Sequence, residues 1–365
     1  MKKKEILIFM PTMDIGGVEK NLINIANYLI KKFDKISLIT ISNKFKNKFN
    51  DKIEFISLKS KFWDSIGKRK KFILCLYLLF LQILKNKNVV VLSFQGNIYC
   101  TLLCKLFGIK IIVRSNTAPD GWSKSLFKFI FYKYILGFAD KIIVNSLEFK
   151  KKLKFKFNIN AICIYNPLDV KDIVKKSKIK QNITFHKKKL NLINVGRLAD
   201  QKDQLTLLKA VNRIKNQINF NLIIVGEGNK KEELINFIEK NNLNKKVQLL
   251  GSKKNPFNLI KQSDILLLTS SYEGLPNVLL EAQVLKTYIV STNCPTGPKE
   301  ILLNGKAGSL FKIGDDKGLS KLILNFSKNR GKYLKMIKFG YQNLFRFNYK
   351  NNLNKYFQEV NSLIK

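Results

Sequence analysis

Two glutamates with seven residues between them, Glu273 and Glu281, stand in a segment whose pattern suits the binding of hydroxyl groups. An apolar run of strand length, residues 265–268, comes just before them, and Gly274 and Pro276 then break the chain. Helical spacing resumes at once, and proline suits the start of a helix because it lacks an amide hydrogen. The sequence therefore predicts a strand, a tight turn that carries Glu273 and a helix that carries Glu281.

The chemistry open to this segment is the binding of diols and of a diphosphate, the two parts of a sugar nucleotide. A carboxylate accepts two hydrogen bonds from a vicinal diol, so Glu273 could hold the sugar and Glu281 the ribose. Free amides at a helix start bind phosphate, which makes the backbone of Asn277 and Val278 a candidate diphosphate site. A solvated turn glutamate and an ordinary helical glutamate would give the same pattern.

Two cations follow another predicted strand, residues 190–195. Gly196 and Arg197 end this strand, and Lys202 opens the next helix. Both cations are therefore expected at the carboxyl end of the strand, where a departing diphosphate would need neutralising. A lysine in a loop is common in so basic a chain, whereas arginine is scarce here and its forked guanidinium is the better phosphate ligand.

Glycines mark three further strand ends. Gly16 and Gly17 follow the first predicted strand and open the first helix, where only glycine lets a backbone approach a phosphate closely. Glu227 lies between two glycines after a later strand, and Gly251 follows the next one. The last two loops are also explained as simple turn glycines.

These motifs together resemble the retaining GT-B glycosyltransferases of family 4. The resemblance rests on the E-x7-E pair in its E-G-x-P frame, the Gly-Gly-x-Glu loop in residues 14–20, Gly196-Arg197 with Lys202, and the segment 294–302, which is similar to a bacterial subgroup that builds lipid-linked surface glycans. It implies Glu273, Arg197 and Lys202 as catalytic residues. It implies donor binding by Gly16, Gly17, Gly196, Glu227, Gly251, Gly274, Leu275, Asn277, Val278 and Glu281.

One position departs from the family pattern. Many members carry a histidine after the fifth strand of the first domain, where this chain has Arg114-Ser115-Asn116. The one histidine in the sequence, His186, falls in a polar stretch and is expected to be solvated. A mechanism that depends on histidine is therefore excluded, and we expect Asn116 to contact the sugar or the acceptor as a hydrogen-bonding residue.

The order of the predicted elements indicates two domains. Strands and helices alternate through residues 1–165 and again through 190–345, as in parallel, doubly wound sheets. A polar, lysine-rich stretch, 166–189, is predicted to be a linker, and residues 346–365 a C-terminal helix that packs back on the first domain. The fold class is therefore α/β, with two Rossmann-like domains facing a central cleft in the GT-B arrangement.

The composition limits the classes of protein that this chain can belong to. Of its 365 residues 45% are hydrophobic, which excludes a disordered chain, and the five scattered cysteines indicate reduced thiols in the cytoplasm. No apolar run is long enough to span a membrane. The formal net charge of +42 is spread over both halves of the chain. It reflects either a drift towards surface lysine or anionic partners such as a membrane.

The apolar, aromatic-rich helices at 68–84 and 126–134 are explained by core packing or by shallow insertion into an anionic membrane. The resemblance implies a donor that is a nucleoside diphosphate sugar, with UDP as the expected nucleotide, and a lipid-linked glycan acceptor. It implies no separate cofactor and no metal, in keeping with the absence of an Asp-x-Asp motif. We expect the protein in the cytoplasm or on the inner face of the plasma membrane.

Two other functions compete with this interpretation of the sequence. A sugar-nucleotide epimerase or hydrolase could use the same frame, although Glu281 in mid-helix is badly placed to flank a scissile bond together with Glu273. A basic nucleic-acid-binding protein would need a localised stripe of Arg and Lys with interleaved aromatics. The diffuse basic charge disfavours this second alternative, and no nucleic acid is expected as a partner.

Overall fold

A computed structural model of the chain describes residues 5–13, 16–41, 45–58, 67–116, 126–181, 183, 185 and 188–364, without the side chains of 126–129 and 132. Asp14 and Ile15 of the predicted phosphate loop, and His186, lie outside the described residues. The chain forms two compact units. The first comprises Met1–Pro167 together with Tyr349–Lys365, and the second comprises Leu168–Asn348.

The first unit contains a seven-stranded sheet in the order β3-β2-β1-β4-β5-β6-β7. Each paired strand is parallel to its neighbour. The strands are β1 (Glu5–Phe9), β2 (Ile36–Ile39), β3 (Glu54–Ile56), β4 (Val89–Ser93), β5 (Lys110–Ser115), β6 (Lys141–Val144) and β7 (Ile162–Cys163). The central strands are continuous apolar runs because helices cover the sheet on both faces.

Six helices flank this sheet in the described part of the chain. They are α1 (Gly17–Leu29), α2 (Lys68–Lys85), α3 (Asn97–Leu106), α4 (Leu126–Gly137), α5 (Leu147–Phe157) and the C-terminal helix, labelled α14 (Tyr349–Ile364). Helices α1 and α14 pack in one core cluster, whereas α2, α3, α4 and α5 pack in the other. The two clusters lie on opposite faces of the sheet, since alternate residues of β1 and β4 belong to each.

The second unit contains a six-stranded sheet in the order β10-β9-β8-β11-β12-β13, again with parallel pairs throughout. Its strands are β8 (Leu190–Val195), β9 (Phe220–Val225), β10 (Val247–Leu249), β11 (Ile265–Leu268), β12 (Tyr288–Thr292) and β13 (Ser309–Phe311). Its helices are α6 (Val170–Ser177), α7 (Gln204–Ile214), α8 (Lys231–Lys240), α9 (Phe257–Gln262), α10 (Asn277–Val284), α11 (Pro298–Ile301), α12 (Asp316–Lys328) and α13 (Leu334–Gln342). The prediction of two Rossmann-like, doubly wound domains is confirmed.

The stretch predicted as a linker, 166–189, contains helix α6, which belongs to the second unit. Asp169 caps this helix through a hydrogen bond from the amide of Asp172, and Ile173 is buried. The side-chain amide of Asn258, at the start of α9, donates to the backbone carbonyl of Ser177 at 2.9 Å. This helix is hard to predict from the sequence because it is short, carries three lysines and depends on tertiary contacts.

No helix in the described ranges is both long and apolar enough to cross a membrane.

Candidate active site

The second unit has a natural ligand position where its chain changes direction. From β8 the sheet grows one way through β9 and β10, and from β11 it grows the other way through β12 and β13. Ligands of doubly wound sheets bind outside the carboxyl ends of the strands at such a switch point. Arg197 and Lys202 follow β8, and Glu273 follows β11, so the predicted catalytic residues all follow the two strands at this point.

The turn that carries Glu273 is held by the loop after β12. The amide of Glu273 donates to the carbonyl of Pro295 at 2.7 Å, and the amide of Thr296 donates back to the carbonyl of Glu273 at 3.1 Å. The hydroxyl of Thr296 also donates to the carbonyl of Gly274 at 3.0 Å. A side chain at Gly297 would meet this same carbonyl at 2.4 Å, which explains why glycine stands there. Two loops thus fix the position of the glutamate.

The carboxylate of Glu273 is paired with Lys202. Lys202 Nζ lies 2.5 Å from Glu273 Oε1, and the hydroxyl of Ser270 donates to the same oxygen at 2.7 Å. The side chains of Lys202 and Glu273 are 18% and 8% exposed, so the ion pair is largely shielded from water. Among the described residues Glu273 Oε2 has no hydrogen-bond partner, which leaves one oxygen of the carboxylate available to accept from a ligand.

The backbone around Lys202 is itself held by the loop that follows β11. A one-turn 3₁₀ helix, Asp200–Lys202, presents it. The carbonyl of Lys202 accepts from the hydroxyl of Thr269 at 2.9 Å. Gln201 makes two further bonds, in which its carbonyl accepts from the amide of Ser271 and its side chain donates to the carbonyl of Tyr272, both at 2.8 Å. The lysine is therefore positioned by backbone contacts and not only by its ion pair.

Arg197 differs from Lys202 in having no partner for its charge. It is exposed, and within the described ranges its guanidinium makes no hydrogen bond or ion pair. Its backbone is fixed, because the side chain of Gln204 donates to its carbonyl at 3.1 Å. The aliphatic part of Lys202 runs past Gly196, with Cδ 3.6 Å from where a Cβ would stand. One paired and one unpaired cation thus flank the same glycine.

The glycine loops after β8, β9 and β10 are tightly stacked. A side chain at Gly226 would lie 1.9 Å from the carbonyl oxygen of Gly196, and one at Gly228 would lie 2.1 Å from that of Leu198. Gly251 has a φ of +68° and lies next to Glu227. Close backbone packing accounts for the glycines at 226 and 228, and the positive φ accounts for Gly251. The role of Glu227 and Gly251 in binding the donor stays a prediction.

Helix α10 begins directly after the Glu273 turn. Pro276 is its N-cap. The first backbone amides of an α-helix point out of its N-terminal end. Asn277 and Val278 are half-buried, and Glu281, one turn later, is 9% exposed. Leu275 is buried, so it can meet a ligand through its backbone more readily than through its side chain. Glu227, by contrast, is exposed and pairs with Lys231 at 3.4 Å.

The remaining predicted residues lie in the first unit. Gly16 is the N-cap of α1, and the carboxylate of Glu19 stands 2.7 Å from where a Cβ on Gly16 would be. Asn116 follows β5, and its side chain donates to the carbonyl of Phe94 at 3.0 Å. Its Oδ1 is buried and unpartnered within the described residues. Both positions lie at the carboxyl edge of the first sheet, and their roles stay predictions.

Three residues of the site were missed by the sequence analysis. Ser270, three residues before Glu273, and Thr296, in the loop after β12, both bond to the Glu273 turn. Nothing in the sequence pairs Thr296 with a turn that follows another strand. Cys294 is buried near the ion pair. Burial, and then the negative charge of Glu273, raise the pKa of this thiol to about 12, which outweighs the opposite effects of Thr292 and Lys202. Cys294 therefore stays protonated at neutral pH and is not a nucleophile.

Among the described residues no three His, Cys, Asp or Glu side chains are grouped so as to hold a metal ion.

The sequence of this chain is similar to those of known glycosyltransferases. Residues 175–343 match the family model described as Glycosyl transferases group 1. An uncharacterized glycosyltransferase of Methanocaldococcus jannaschii, MJ1059, is 36% identical over 216 residues, which is 55% of this chain and 53% of that protein. A second relative is a Campylobacter jejuni enzyme named N-acetylgalactosamine-N,N'-diacetylbacillosaminyl-diphospho-undecaprenol 4-alpha-N-acetylgalactosaminyltransferase. It is 26% identical over 325 residues, which is 86% of this chain and 87% of that protein.

The fold also matches solved structures. The structure of Anabaena Alr3699/HepE in complex with UDP and glucose superposes with a TM-score of 0.78 at 16% identity, over 98% of this chain and 100% of that one. The predicted GT-B class of fold is confirmed. The predicted enzyme class, a glycosyltransferase, is confirmed by the family model and by the named relatives, whereas membership of family 4 stays a prediction.

Proposed function

We propose that this protein is a retaining glycosyltransferase of family 4, and the match of residues 175–343 to the glycosyl transferases group 1 family model supports this proposal. It moves a hexose or N-acetylhexosamine from a nucleoside diphosphate sugar to a growing, lipid-linked surface glycan. The single observation that carries this proposal is the arrangement at the switch point. There an unpaired guanidinium, Arg197, and the shielded pair of Lys202 with Glu273 follow the two central strands.

The two cations suit the departing diphosphate. As the bond between the anomeric carbon and the phosphate oxygen breaks, negative charge grows on the diphosphate, and Arg197 and Lys202 would neutralise it. The amides at the start of α10, at Asn277 and Val278, would add further donors. Because these positive groups belong to the chain, the proposal needs no metal ion to stabilise the leaving group.

The bonding of Glu273 favours a positioning role over a nucleophilic one. Oε1 already accepts from Lys202 and Ser270, and the remaining oxygen is suited to accept from a sugar hydroxyl. We therefore propose same-face attack. The acceptor oxygen bonds to the anomeric carbon on the face that the diphosphate leaves, and the acceptor proton passes to the leaving phosphate oxygen. A covalent glycosyl adduct on Glu273 would contradict this mechanism.

The donor is proposed to carry UDP. The likeness to a structure solved with UDP and glucose supports this choice, as does the family resemblance. Glu281 would bind the ribose, and the loops at Glu227 and Gly251 would border the base. The acceptor is proposed from the Campylobacter relative, whose name specifies a diphospho-undecaprenol glycan. Such an acceptor would place the enzyme at the inner face of the plasma membrane.

Donor binding is tested by thermal stabilisation with a panel of UDP- and GDP-sugars. A ligand at 100 times its Kd stabilises the folded state by about 2.7 kcal/mol, which is easily measured. We expect stabilisation by one or more UDP-sugars and little by GDP-sugars. The variant Lys202→Met should lose this stabilisation, whereas Lys209→Met, an exposed lysine of α7, should keep it. Equal stabilisation of both variants would contradict the proposed site.

The reaction type is tested by product analysis. With a lipid-linked acceptor the sugar should appear on the acceptor with retained anomeric configuration. Without an acceptor, little free sugar should form. Rapid hydrolysis or epimerisation of the donor without an acceptor would contradict the proposal. It would indicate a sugar-nucleotide hydrolase or epimerase instead of a transferase.

A further inference from the structure

One face of the first sheet is covered by four helices, α2, α3, α4 and α5, which together present a single outward surface. Their inward sides meet in one core cluster, which includes Leu79 of α2, Cys104 of α3, Leu136 of α4 and Leu153 of α5. The four helices therefore lie on the same side of the sheet. We call the outward sides of these helices the docking face.

Helix α2 carries a stripe of exposed apolar side chains on the docking face. Ile73 is 67% exposed, Tyr77 56% and Leu84 53%. Positions separated by four and eleven residues lie on one side of a helix, opposite the buried Cys75, Leu79 and Ile83. At 1.5 Å per residue the stripe is about 16 Å long. This helix is therefore apolar on the side that faces away from the core as well as on the side that faces it.

The neighbouring helices extend this apolar surface. The exposed residues are Tyr99 and Leu106 on α3, Phe131 and Tyr134 on α4, Phe138 just after it and Phe155 on α5. Leu106 is 80% exposed and Phe155 is 93% exposed. Most of the exposed large apolar side chains in the described part of the chain belong to these four helices. Soluble monomers rarely concentrate apolar side chains in this way unless the surface binds something.

The opposite face of the same sheet provides an internal comparison. It is covered by α1 and α14. Within the described residues neither helix has an exposed large apolar side chain. A general bias towards apolar residues in this sequence would affect both faces, so the asymmetry points to a property of the docking face itself.

The charge of the docking face is strongly positive. The sequence has no aspartate or glutamate between Asp64 and Asp120, a span that includes α2 and α3. Helix α2 begins with Lys68-Arg69-Lys70-Lys71 and has no acidic residue in its first turn. Cations at the positive end of the helix dipole are unfavourable in isolation. An anionic partner would reverse this effect.

We propose that the docking face binds an anionic lipid bilayer. Its apolar stripe would enter the boundary between headgroups and acyl chains, and its lysines and arginine would contact the headgroups. Burying aliphatic side chains such as Ile73, Leu84 and Leu106 in a bilayer is favourable, whereas a phosphate backbone offers them little apolar contact. A membrane therefore fits this surface better than a nucleic acid. The inference deepens the proposed function and rests on it, because a lipid-linked acceptor lies in a bilayer.

The test is co-sedimentation of the full chain with vesicles. We expect binding to vesicles that contain phosphatidylglycerol and much weaker binding to pure phosphatidylcholine vesicles. Binding should weaken as NaCl rises from 0.1 to 0.5 M but should not vanish, because the apolar contribution is not screened. Stabilisation by UDP-sugars is measured in parallel without lipid. A failure of membrane binding is thus distinguished from a failure of the proposed enzyme function.

Three variants locate the surface. Arg69→Glu with Lys70→Glu should weaken binding to anionic vesicles at least ten-fold. Ile73→Ser with Tyr77→Ser should remove the part of the binding that persists in high salt. The control, Lys350→Glu with Lys355→Glu, makes the same change of charge on exposed positions of α14, on the opposite face. It should alter binding less than three-fold. All these side chains are exposed, so the variants should fold.

Three outcomes would overturn the proposal. The first is an absence of binding to anionic vesicles. The second is an equal loss of binding in the α2 charge variant and the α14 control, which would mean that diffuse charge is responsible. The third is tight binding of an oligonucleotide that the α2 charge variant abolishes, without binding to vesicles, which would make the face a nucleic-acid surface.

Discussion

The ion pair between Lys202 and Glu273 joins stability to function at the residue scale. Both side chains are shielded from water, so each depends on the other to balance its charge. Removing one partner of such a pair leaves an uncompensated charge, whereas removing both charges together is often close to neutral for stability. The pair therefore allows the structural cost of a variant to be separated from its catalytic cost.

The first prediction uses this separation. Lys202→Met should lower the free energy of unfolding by on the order of 3 kcal/mol, because Glu273 is left buried and unpaired. The double variant with Glu273→Gln should recover most of that stability. Neither variant should recover activity, and the loss in kcat from removing Lys202 should be about 10²- to 10³-fold, as for other groups that stabilise developing negative charge. Chemical denaturation and initial-rate kinetics measure the two effects. Recovery of activity in the double variant would contradict the role of Lys202.

Arg197 should behave differently, because it has no partner in the described residues and is exposed. Arg197→Ala should leave the free energy of unfolding within about 0.5 kcal/mol of the original, as for most surface substitutions. It should still lower kcat strongly. Arg197→Lys should recover only part of this loss, since lysine cannot donate the paired hydrogen bonds of a guanidinium to a phosphate. An arginine that mattered only for solubility would leave kcat unchanged in both variants.

Cys294 gives a prediction about pH. Burial raises the pKa of its thiol from 9.0 to about 12. Between these values the unfolded chain loses the proton and the folded chain keeps it, so this thiol makes the folded state less stable as pH rises above about 9. Cys294→Ala should therefore lose less stability than the unchanged chain between pH 8.5 and 10.5. Urea denaturation of both proteins at matched pH measures the difference, which cancels the titration of the lysines. If the free energy of unfolding changed equally with pH in both proteins, the thiol would not be shielded from water.

At the scale of elements, the strands that carry the site could be predicted because each is short and mostly apolar. Strand β11 is a continuous apolar run, and β8 is apolar apart from Asn191 and Asn194, as expected for strands that are buried on both faces of a parallel sheet. The position of Glu273 in a turn followed from Gly274 and Pro276. Helix α6 was not predicted, since its stability depends on contacts with α9 and not on its own pattern.

The parts of the site that sequence reasoning could not supply are contacts between loops. Thr296 follows β12, whereas the Glu273 turn that it orients follows β11, and the sequence does not show that these two strands are neighbours. The identity of Lys202 as the partner of Glu273, 71 positions away, depends in the same way on which strands are adjacent. A motif can thus identify the charged residues without showing which of them are paired.

The stacked glycine loops give a prediction at this scale. In Gly226→Ala the new methyl group would lie 1.9 Å from the carbonyl oxygen of Gly196, so the loop before Arg197 must move. We expect a loss of several kcal/mol, together with a loss of donor binding. The control is Gly331→Ala in the same unit, where the nearest atom is 3.6 Å away and the residue is exposed. Thermal unfolding with and without UDP-sugar compares them. Similar melting temperatures for the two variants would show that the loops are not tightly stacked.

At the scale of the whole molecule, the formal net charge of +42 is the dominant feature. The ion pairs in the described residues involve a minority of the lysines and arginines, so most of the positive charge is uncompensated within the chain. Self-repulsion of this kind destabilises the compact state. The Debye length falls from about 10 Å at 0.1 M salt to about 3 Å at 1 M, so salt should screen it.

The melting temperature should therefore rise as NaCl increases from 0.05 to 0.5 M, because screening relieves the folded state more than the expanded unfolded chain. The shielded pair of Lys202 with Glu273 is only weakly screened and should not reverse the trend. The Arg69→Glu and Lys70→Glu variant has a net charge that is lower by four, so its melting temperature should depend less on salt, and so should that of the Lys350→Glu and Lys355→Glu control. For this bulk effect the two variants should agree, whereas for vesicle binding they should differ. A melting temperature that stays constant or falls with salt would mean that local ion pairs, and not net repulsion, govern the electrostatics of this chain.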